Sequence, residues 1–458
     1  MRGKTGLVFF PAFDWAISPT HPEREERLLY TRDQFIEEGV LDLPDIVEYP
    51  AAVATPHEIT RAHFCVPGVD YQTTTVHRIA AGSAINLSDK IMRGEVKNGF
   101  AIVRPPGHHA MRMVRGNRGF CNINNEAVVV EHLRRLYGIK RIAIIDTDVH
   151  HGDGTQDIYY HDPDVLFISF HQDGRTIYPG TGFTDELGGP RAFAYTINIP
   201  LPPGTSDKSL LYVVENLILP ILSDFKPEFI INSAGQDNHY SDPMGSMKIT
   251  ANGYAKMTEM LKPDMAVLEG GYAIESALPY VNLAILLSMA GRDYSYIMEP
   301  DYDPGKLKED RQITEYVQEV VKQLKDVWDS RERICNVHYN KHDKYLYNQK
   351  HVYYDTIGFE EKQLERVRVC PDCPGYITID SHVPYQYNQE VLKGVEYSRV
   401  LAVSIHNSCC DNCVAEAWDV YHKSKKDERY AYAYMQDRTV DSFLTYRSKD
   451  GREWHTEG

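Results

Sequence analysis

The 458-residue chain has no long apolar run, few cysteines and no excess of basic residues. A helix that crosses a bilayer needs roughly 20 consecutive apolar residues, and because no segment approaches that length we expect no membrane-spanning helix. The amino-terminal segment has only a short apolar run closed by proline, and we interpret it as a first strand rather than a signal peptide. A net charge of −16 argues against a general binder of nucleic acids or anionic membranes.

Eight cysteines in a chain of this length are too few for a disulfide framework, which favours a reducing, cytoplasmic setting. A composition of 42% hydrophobic and 25% charged residues is that of a globular protein, and the length allows a large core plus a second unit. The sequence contains no internal repeat and no low-complexity tract. It leaves the oligomeric state open, and a homo-oligomer is compatible with it.

Short apolar runs alternate with segments of helical period through the first 300 residues. Strands that are apolar throughout and alternate with helices predict an α/β fold, with a parallel sheet covered by helices on both faces. Residues 76–91 predict one such helix, and residues 124–138 predict another, capped by asparagine and closed by glycine. The apolar runs are residues 6–11, 100–107, 141–148, 165–171, 228–235 and 265–272.

The composition changes after about residue 300. Residues 303–330 predict one more amphipathic helix, which would close the first domain. Beyond it the chain is rich in tyrosine, lysine, histidine and aspartate, without strand–helix alternation but with two C-x-x-C pairs. We predict a catalytic domain over residues 1–333 and a cysteine-rich, zinc-ribbon-like β-module over residues 334–458.

Polar side chains follow five of the apolar runs. In a parallel sheet ligands bind beyond the carboxyl ends of the strands, so five runs that each deliver such a residue favour a functional site over five unrelated turns. These residues are His108 and His109 after residues 100–107; Asp146, Asp148 and His150 at the end of residues 141–148; His171 at the end of residues 165–171; Asp237 after residues 228–235; and Tyr272 at the end of residues 265–272.

Asp148, His150 and Asp237 have the spacing of metal ligands. Asp148 and His150 are two residues apart, so an extended segment puts both side chains on one side of the backbone, and Asp237 can join them from another strand end. Two oxygens and one nitrogen, with a position left for water, suit a catalytic site, and without thiolates Zn²⁺, Fe²⁺ and Co²⁺ all fit. Such an ion would activate water and polarise a substrate carbonyl.

The same region supplies candidates for acid–base chemistry. His108 and His109 offer two imidazoles, which the remaining carboxylates, Asp146 and Asp153, are suited to orient. Tyr272 follows two glycines, which would let its phenol approach the metal and donate to a tetrahedral oxyanion. A lone His-His pair is more often a polar loop, and a lone Gly-Gly-Tyr a turn, so only the combination favours a hydrolase.

Six motifs occur in the order and approximate spacing of the metal-dependent histone deacetylase family, which also includes acetylpolyamine amidohydrolases. The resemblance covers about residues 5–330 and is strongest to the class II branch, since class I members have tryptophan before the two histidines. It implies an arginase/deacetylase-type α/β fold. The motifs are RPPGHHA (104–110), GFCNINNEA (119–127), DTDVHHGDGTQ (146–156), YPGTG (178–182), SAGQDNHYSDPMG (233–245) and LEGGY (268–272), after HPEREERL (21–28).

The resemblance implies roles for the matching residues. Asp148, His150 and Asp237 match the metal ligands. His109, paired with Asp153, matches the general base and acid, and Tyr272 matches the tyrosine that polarises the carbonyl. The other matches are His108 with Asp146 as the second histidine pair; Phe120, Tyr178, Met244 and Gly271 along the substrate channel; Asp70 at its rim; and Arg27 near an internal acetate channel.

The family also binds K⁺ or Na⁺, and the resemblance places an inner cation site and an outer one on this chain. Backbone oxygens supply most of their ligands. The inner site matches Asp146, Asp148, His150, Ser169 and Phe170, and the outer one matches Tyr159, Asp162, Val165 and Tyr195.

Two residues depart from the family pattern. Gln236 stands where an aromatic or aliphatic residue commonly precedes the third metal ligand. Met244 occupies the position at which polyamine-preferring members resemble one another in carrying an acidic residue. An apolar side chain cannot hold a second ammonium group, which favours acyl-lysine substrates over acetylated polyamines.

Cys370, Cys373, Cys410 and Cys413 form two C-x-x-C pairs, which predict a closed structural Cys₄ zinc site. The alternatives are a redox dithiol or unrelated surface cysteines. Cys409 lies next to Cys410 and leaves the ligand at that position open.

The sequence therefore predicts a zinc-dependent amidohydrolase that removes acetyl or other acyl groups from lysine side chains of proteins or peptides. One rival is a deacetylase of small acetylated amines such as polyamines. The other is a non-catalytic binding protein that recruits a partner through its carboxy-terminal zinc module.

Overall fold

Eight parallel strands form one sheet within the first 300 residues. The structure, a computed structural model, describes residues 3–66, 73–300, 302–339, 344–356, 358–384 and 399–456. Across the sheet the strands follow in the order β2 (Ile46–Tyr49), β1 (Thr5–Phe10), β4 (Asn98–Val103), β10 (Met265–Leu268), β9 (Phe229–Ala234), β6 (Ile142–Asp146), β7 (Val165–Gln172) and β8 (Thr196–Leu201).

The sheet is buried on both faces because its strands are apolar at successive positions. Along β6, Ala143 and Ile145 belong to one hydrophobic cluster, while Ile142 and Ile144 belong to another on the opposite face. Helices cover each face: α1 (Leu29–Glu37) and α6–α10 pack on the first, and α2–α5 on the second. The predicted α/β architecture is confirmed.

The helices that cover the sheet begin and end where their capping residues stand. Asn124 caps α4 by accepting a hydrogen bond from the Ala127 N–H, and Gly138 ends it with φ of 67°. The helices after α1 are α2 (Pro56–Ala62), α3 (Thr75–Met92), α4 (Asn125–Tyr137), α5 (Asp153–Tyr159), α6 (Asp207–Val213), α7 (Leu219–Phe225), α8 (Ala251–Leu261), α9 (Leu278–Met289), α10 (Arg311–Tyr339) and α11 (Asp411–Ser424).

The six apolar runs become β1, β4, β6, β7, β9 and β10, whereas β2 and β8 have no counterpart among the predicted strands. These two strands form the edges of the sheet. The helix expected over residues 303–330 begins later and ends later, as α10. Residue 333 therefore lies inside this helix.

A second sheet of seven strands occupies the carboxy-terminal part of the chain. Neighbouring strands are antiparallel except β14 and β15, which are parallel and are connected through α11. The strands are β11 (Tyr345–Tyr354), β12 (Phe359–Arg368), β13 (Tyr376–His382), β14 (Val400–Ile405), β15 (Tyr432–Asp437), β16 (Ser442–Arg447) and β17 (Arg452–His455). The strands β3 (Phe64–Cys65) and β5 (Met113–Val114) form a separate short pair.

The second sheet packs against the first unit through one face and against α11 through the other. Phe64 and Met113 of the short β3–β5 pair share a hydrophobic cluster with Ala402 and Tyr434 of the second sheet. Ion pairs join the two units as well. They include Arg115–Glu361 at 3.1 Å, Lys350–Asp157 at 2.8 Å and Arg61–Asp441 at 2.9 Å.

Within the described residues, no helix combines the length and the apolar character that a membrane span requires.

Candidate metal centre and active site

The candidate site lies at the carboxyl edge of the central strands. β4, β10, β9 and β6 are neighbours in the sheet, and the segments that follow them carry His108–His109, Tyr272, Asp237 and Asp148–His150. Parallel strands end at the same edge, so residues from four distant parts of the sequence meet there.

Asp148, His150 and Asp237 are all buried, and one ligand atom of each lies within 4.8 Å of the others. The His150 Nδ1 is 3.0 Å from Asp148 Oδ1 and 3.2 Å from Asp237 Oδ2. Backbone N–H groups hold the outer oxygens: Gly270 donates to Asp148 Oδ2 and Val149 to Asp237 Oδ1. Asp237 Oδ2 is buried and accepts no hydrogen bond from the described residues. A buried carboxylate oxygen without a donor, facing an imidazole and a second carboxylate, fits a divalent cation.

The charges of this triad perturb one another. Burial opposes ionisation of Asp148, but His108 and His150 outweigh it and hold the pKa of this carboxyl well below its usual range. Burial and the charge of Asp148 raise the pKa of Asp237 to about 7. Burial acts against the His150 imidazolium, but the two carboxylates raise its pKa to about 10. Two carboxylates are thus crowded around one imidazole in a dry site, as a cation-binding centre requires.

Two histidine–aspartate pairs lie beside the triad. The His108 Nδ1 is 3.0 Å from Asp146 Oδ2, and the His109 Nδ1 is 2.8 Å from Asp153 Oδ1. Burial disfavours the His108 imidazolium, yet Asp148 and Asp146 raise its pKa to about 10. Burial and the neighbouring His108 lower the pKa of His109 to about 3. His109 is therefore neutral at neutral pH and able to accept a proton, whereas His108 carries one.

Tyr272 faces the triad from the end of β10. Its ring lies 5.7 Å from that of Phe120 in an edge-on arrangement, and the guanidinium of Arg27 lies 5.0 Å from its centre. Gly271 has φ of 124°, and a Cβ there would come within 2.8 Å of Leu278. Only glycine fits this close approach of the backbone immediately before Tyr272.

Phe120 and Tyr178 form the aromatic part of the site. The ring of Tyr178 is 5.2 Å from His109, and His21 packs 4.3 Å from Phe120. Both aromatics are partly exposed, in contrast with the buried groups beneath them. The two rings therefore contact His109 and Tyr272 while remaining partly accessible to solvent.

The remaining residues of the predicted site are distributed as follows. Ser169 and Phe170 are buried in β7, and Ser169 Oγ is 2.9 Å from His171 Nδ1. Met244 is partly exposed. Gln236 is buried and donates to Asn282 at 3.2 Å, so it points away from solvent. Asp70 lies outside the described residues.

Sequence reasoning missed several groups that hold the site together. Glu269, within the LEGGY motif, accepts hydrogen bonds from the N–H groups of Gly107 and His108. Asp242 accepts from the N–H of Tyr272 at 2.6 Å. Arg118 binds both oxygens of Asp153, one of them at 2.7 Å. Glu269 lies in the motif LEGGY and Asp242 in SAGQDNHYSDPMG, so both motifs contained a signal for these two residues. Nothing in the sequence pairs Arg118 with Asp153.

Cys370, Cys373, Cys410 and Cys413 form a second group of potential metal ligands, with their sulfurs within 4.8 Å of one another. The Cys373 Sγ is 3.5 Å from that of Cys410, and 3.7 Å from that of Cys409. Cys409 donates instead to the carbonyl of Gly375 at 3.1 Å, outside the group of four. Four thiols converging in this way suit a tetrahedral structural zinc site.

Comparison with known proteins supports an enzymatic interpretation. The family described as the histone deacetylase domain matches residues 66–286. A probable deacetylase of Archaeoglobus fulgidus is 44% identical over 325 residues, which are 65% of this chain and 89% of that protein. The polyamine deacetylase HDAC10 of Mus musculus is 35% identical over 268 residues, which are 55% of this chain and 40% of that protein. The crystal structure of the HDA15 HD domain superposes with a TM-score of 0.62 at 30% identity, covering 74% of this chain and 99% of that one.

Fold, site and relatives together define a hydrolase of the deacetylase class. The chain belongs to the histone deacetylase family, whose members depend on a metal ion, typically zinc. The names of its relatives include both a histone deacetylase and a polyamine deacetylase, so family membership leaves the substrate open.

Proposed function

We propose that the protein removes acetyl groups from lysine side chains of proteins or peptides, with Zn²⁺ as the catalytic metal. The observation that carries this proposal is the placement of two aromatic rings against the reactive groups. Tyr178 packs on His109 and Phe120 on Tyr272, on the way to the buried triad. A channel flanked by two rings suits the narrow methylene chain of an acylated lysine.

Asp148, His150 and Asp237 would hold the metal, since they offer two oxygens and one nitrogen and Asp237 Oδ2 has no other donor. A metal ion bound there supplies an activated water and polarises the amide carbonyl. The absence of thiolates also admits Fe²⁺.

Side chains of the protein would carry out the proton transfers. Asp153 fixes the Nδ1 of His109, so its Nε2 is the atom that takes the proton from the attacking water and passes it to the leaving amine. His108 is hydrogen-bonded to Asp146 and, when protonated, would stabilise negative charge that develops nearby. The Tyr272 hydroxyl donates to the oxygen of the former carbonyl.

Met244 favours lysine over polyamine substrates, because a partly exposed apolar side chain offers no charge to a second ammonium group. A non-catalytic binding protein is disfavoured, since it would have no use for a neutral His109 beside a fixed Asp153 and a metal triad. Eight cysteines in a chain of this length, too few for a disulfide framework, favour a reducing, cytoplasmic setting.

For the rest of the chain we propose a catalytic domain over residues 1–333 and a zinc-binding unit over residues 334–458. A structural zinc on Cys370, Cys373, Cys410 and Cys413 would stabilise that unit. A K⁺ or Na⁺ ion near Ser169 and the backbone after β6 is the third predicted ion, carried over from the family resemblance.

The test is a panel of acetylated lysine peptides and acetylated polyamines, given to one preparation of the full chain loaded with Zn²⁺ or Fe²⁺. We expect turnover of the peptides and its loss in Asp148→Asn. Turnover of polyamines alone would establish the small-amine rival. Binding of peptides without turnover under either metal would establish the binding-protein rival.

A further inference from the structure

The turn between β11 and β12 in the second unit reaches the substrate channel. The Tyr353 carbonyl accepts a hydrogen bond from Arg118 Nε at 3.1 Å. Asp355 Oδ1 accepts one from the Gly119 N–H at 2.8 Å and one from the Tyr178 hydroxyl at 3.4 Å. Arg118 and Gly119 directly precede Phe120 in the sequence, so Asp355 bridges the two aromatic sides of the channel.

The charge of Asp355 is not balanced by any described basic side chain. It forms no ion pair among the described residues. Arg118, the nearest guanidinium in sequence to Phe120, is committed to both oxygens of Asp153. The ring of His21 packs on Phe120, and burial lowers the pKa of this imidazole, although the charges of Glu23 and Asp355 act in the opposite direction. Among the residues that the structure describes, no cationic side chain therefore pairs with the carboxylate of Asp355.

One oxygen of Asp355 is used for structure and the other is not. Oδ1 takes both hydrogen bonds from the first unit, whereas Oδ2 accepts none from the described residues, and the side chain is partly exposed. The turn has a second anchor, because the Thr356 hydroxyl donates to Asn117 Oδ1 at 2.6 Å. Asp355 thus offers a free carboxylate oxygen on a turn that does not depend on it alone.

We propose that Asp355 selects substrates with a positive charge beside the acylated lysine, such as peptide segments with a neighbouring arginine. The inference rests on the proposed lysine deacetylase activity and deepens it. An acyl-lysine that passes Phe120 and Tyr178 leaves its flanking residues beside the Tyr178 hydroxyl, which is where Asp355 binds. A partly desolvated carboxylate attracts a guanidinium there and repels acidic segments.

The experiment compares two acetyl-lysine peptides of equal length on the metal-loaded full chain, one flanked by arginine and the other by glutamine. We expect wild type to prefer the arginine peptide, with kcat/KM greater by about fivefold, the scale of a partly exposed ion pair. Asp355→Asn, which keeps the Oδ1 acceptor, should abolish this preference by lowering kcat/KM for the arginine peptide to that for the glutamine peptide. Asp355→Glu should retain part of it. Asp329→Asn removes an exposed acidic residue on α10 and should behave as wild type.

Salt provides a second measurement that needs no variant. A charge preference is screened as ionic strength rises, since the Debye length falls from about 10 Å at 0.1 M to about 3 Å at 1 M. Equal kcat/KM for both peptides in wild type, or a preference that persists in Asp355→Asn or in high salt, would overturn the inference while leaving deacetylation intact. Failure of wild type to cleave either peptide would instead reject the proposed function.

Discussion

The hydroxyl of Tyr272 is the group most directly tied to the proposed chemistry. Tyr272→Phe should lower kcat by roughly 10²–10³, the loss expected when one oxyanion donor is removed. KM and metal content should change little, because the ring contacts with Phe120 and Arg27 remain. Steady-state kinetics on an acetyl-lysine peptide measure the effect, with Tyr280→Phe on α9 as the control. A variant with wild-type kcat would exclude this role for the hydroxyl.

Arg118 is expected to orient the catalytic pair His109–Asp153 through its hydrogen bonds to Asp153. Burial opposes ionisation of Asp153, but Arg118 outweighs it and holds the pKa of this carboxyl well below its usual range. Arg118→Met should lower kcat/KM about 10- to 100-fold, the range for groups that orient a reacting residue.

The pH profile distinguishes positioning by Arg118 from general damage. The positive charge of Arg118 helps to lower the pKa of His109. His109 acts as a base only when neutral, so a raised pKa in Arg118→Met should move the acid limb of kcat/KM to higher pH. Arg118→Lys keeps the charge and should restore most of that shift, although it cannot reproduce the two-pronged contact. An unshifted acid limb would indicate a purely structural role.

At the residue scale, the sequence predicts site residues that lie close together in the chain. It does not predict residues that meet only through tertiary contacts. Asp148 and His150 are two positions apart, and that spacing alone suggested that both bind the same metal ion. Asp355 stands 236 positions from its partner Gly119. No local pattern marks it, because its role depends on how a second sheet packs on the first.

At the scale of elements, the cysteine group ties two strand connections and α11 together. If it holds zinc, the ion contributes to folding, since the ligands are not assembled in the unfolded chain. Cys373→Ser should lose one zinc per chain and make residues beyond 333 sensitive to protease. Metal analysis and limited proteolysis measure both outcomes.

Cys409→Ser is the matched control, because Cys409 bonds to Gly375 and stands outside the group of four. It should keep the zinc. Zinc retained in Cys373→Ser would point to a redox dithiol, and zinc lost from Cys409→Ser would place Cys409 among the ligands.

Periodicity predicted the elements of the first unit well and those of the second poorly. Strands such as β6 are apolar at successive positions, here from Ile142 to Ile145, because the sheet is covered on both faces, and such runs are easily recognised in a sequence. β12 alternates Phe359, Glu361 and other buried positions with exposed ones, and several of its buried residues are charged. Buried Glu361 forms an ion pair with Arg115 of the other unit. The sequence of the strand alone does not indicate that this charged residue has such a partner.

At the scale of the whole molecule, Asp441 links the carboxy-terminal sheet to α2 and α4. It contacts Arg61 at 2.9 Å, His57 at 3.2 Å and Arg135 at 3.1 Å. Burial raises the pKa of this carboxyl, but Arg61 and His57 outweigh burial and lower it to about 2. An unfolded aspartate titrates near about 3.9. Its ionisation therefore stabilises the folded chain above about pH 4.

This contribution should disappear as the pH falls from about 4 to about 2. The difference in free energy of unfolding between wild type and Asp441→Asn, measured by urea denaturation, should be largest near neutral pH and shrink across that window. Asp329→Asn serves as the exposed control. A difference that stays constant with pH would show that Asp441 acts through packing rather than charge.

The contact between the turn of residues 353–355 and Arg118 also determines the order in which parts of the site form during synthesis. These partners are 235 positions apart, and a ribosome adds about 5–20 residues per second. The parallel sheet is complete by residue 268, so it can form roughly 4–17 seconds before the turn emerges to meet the channel. Newly made chains should therefore acquire the metal site first and substrate preference later, so a chain still being synthesised would not yet discriminate between flanking charges.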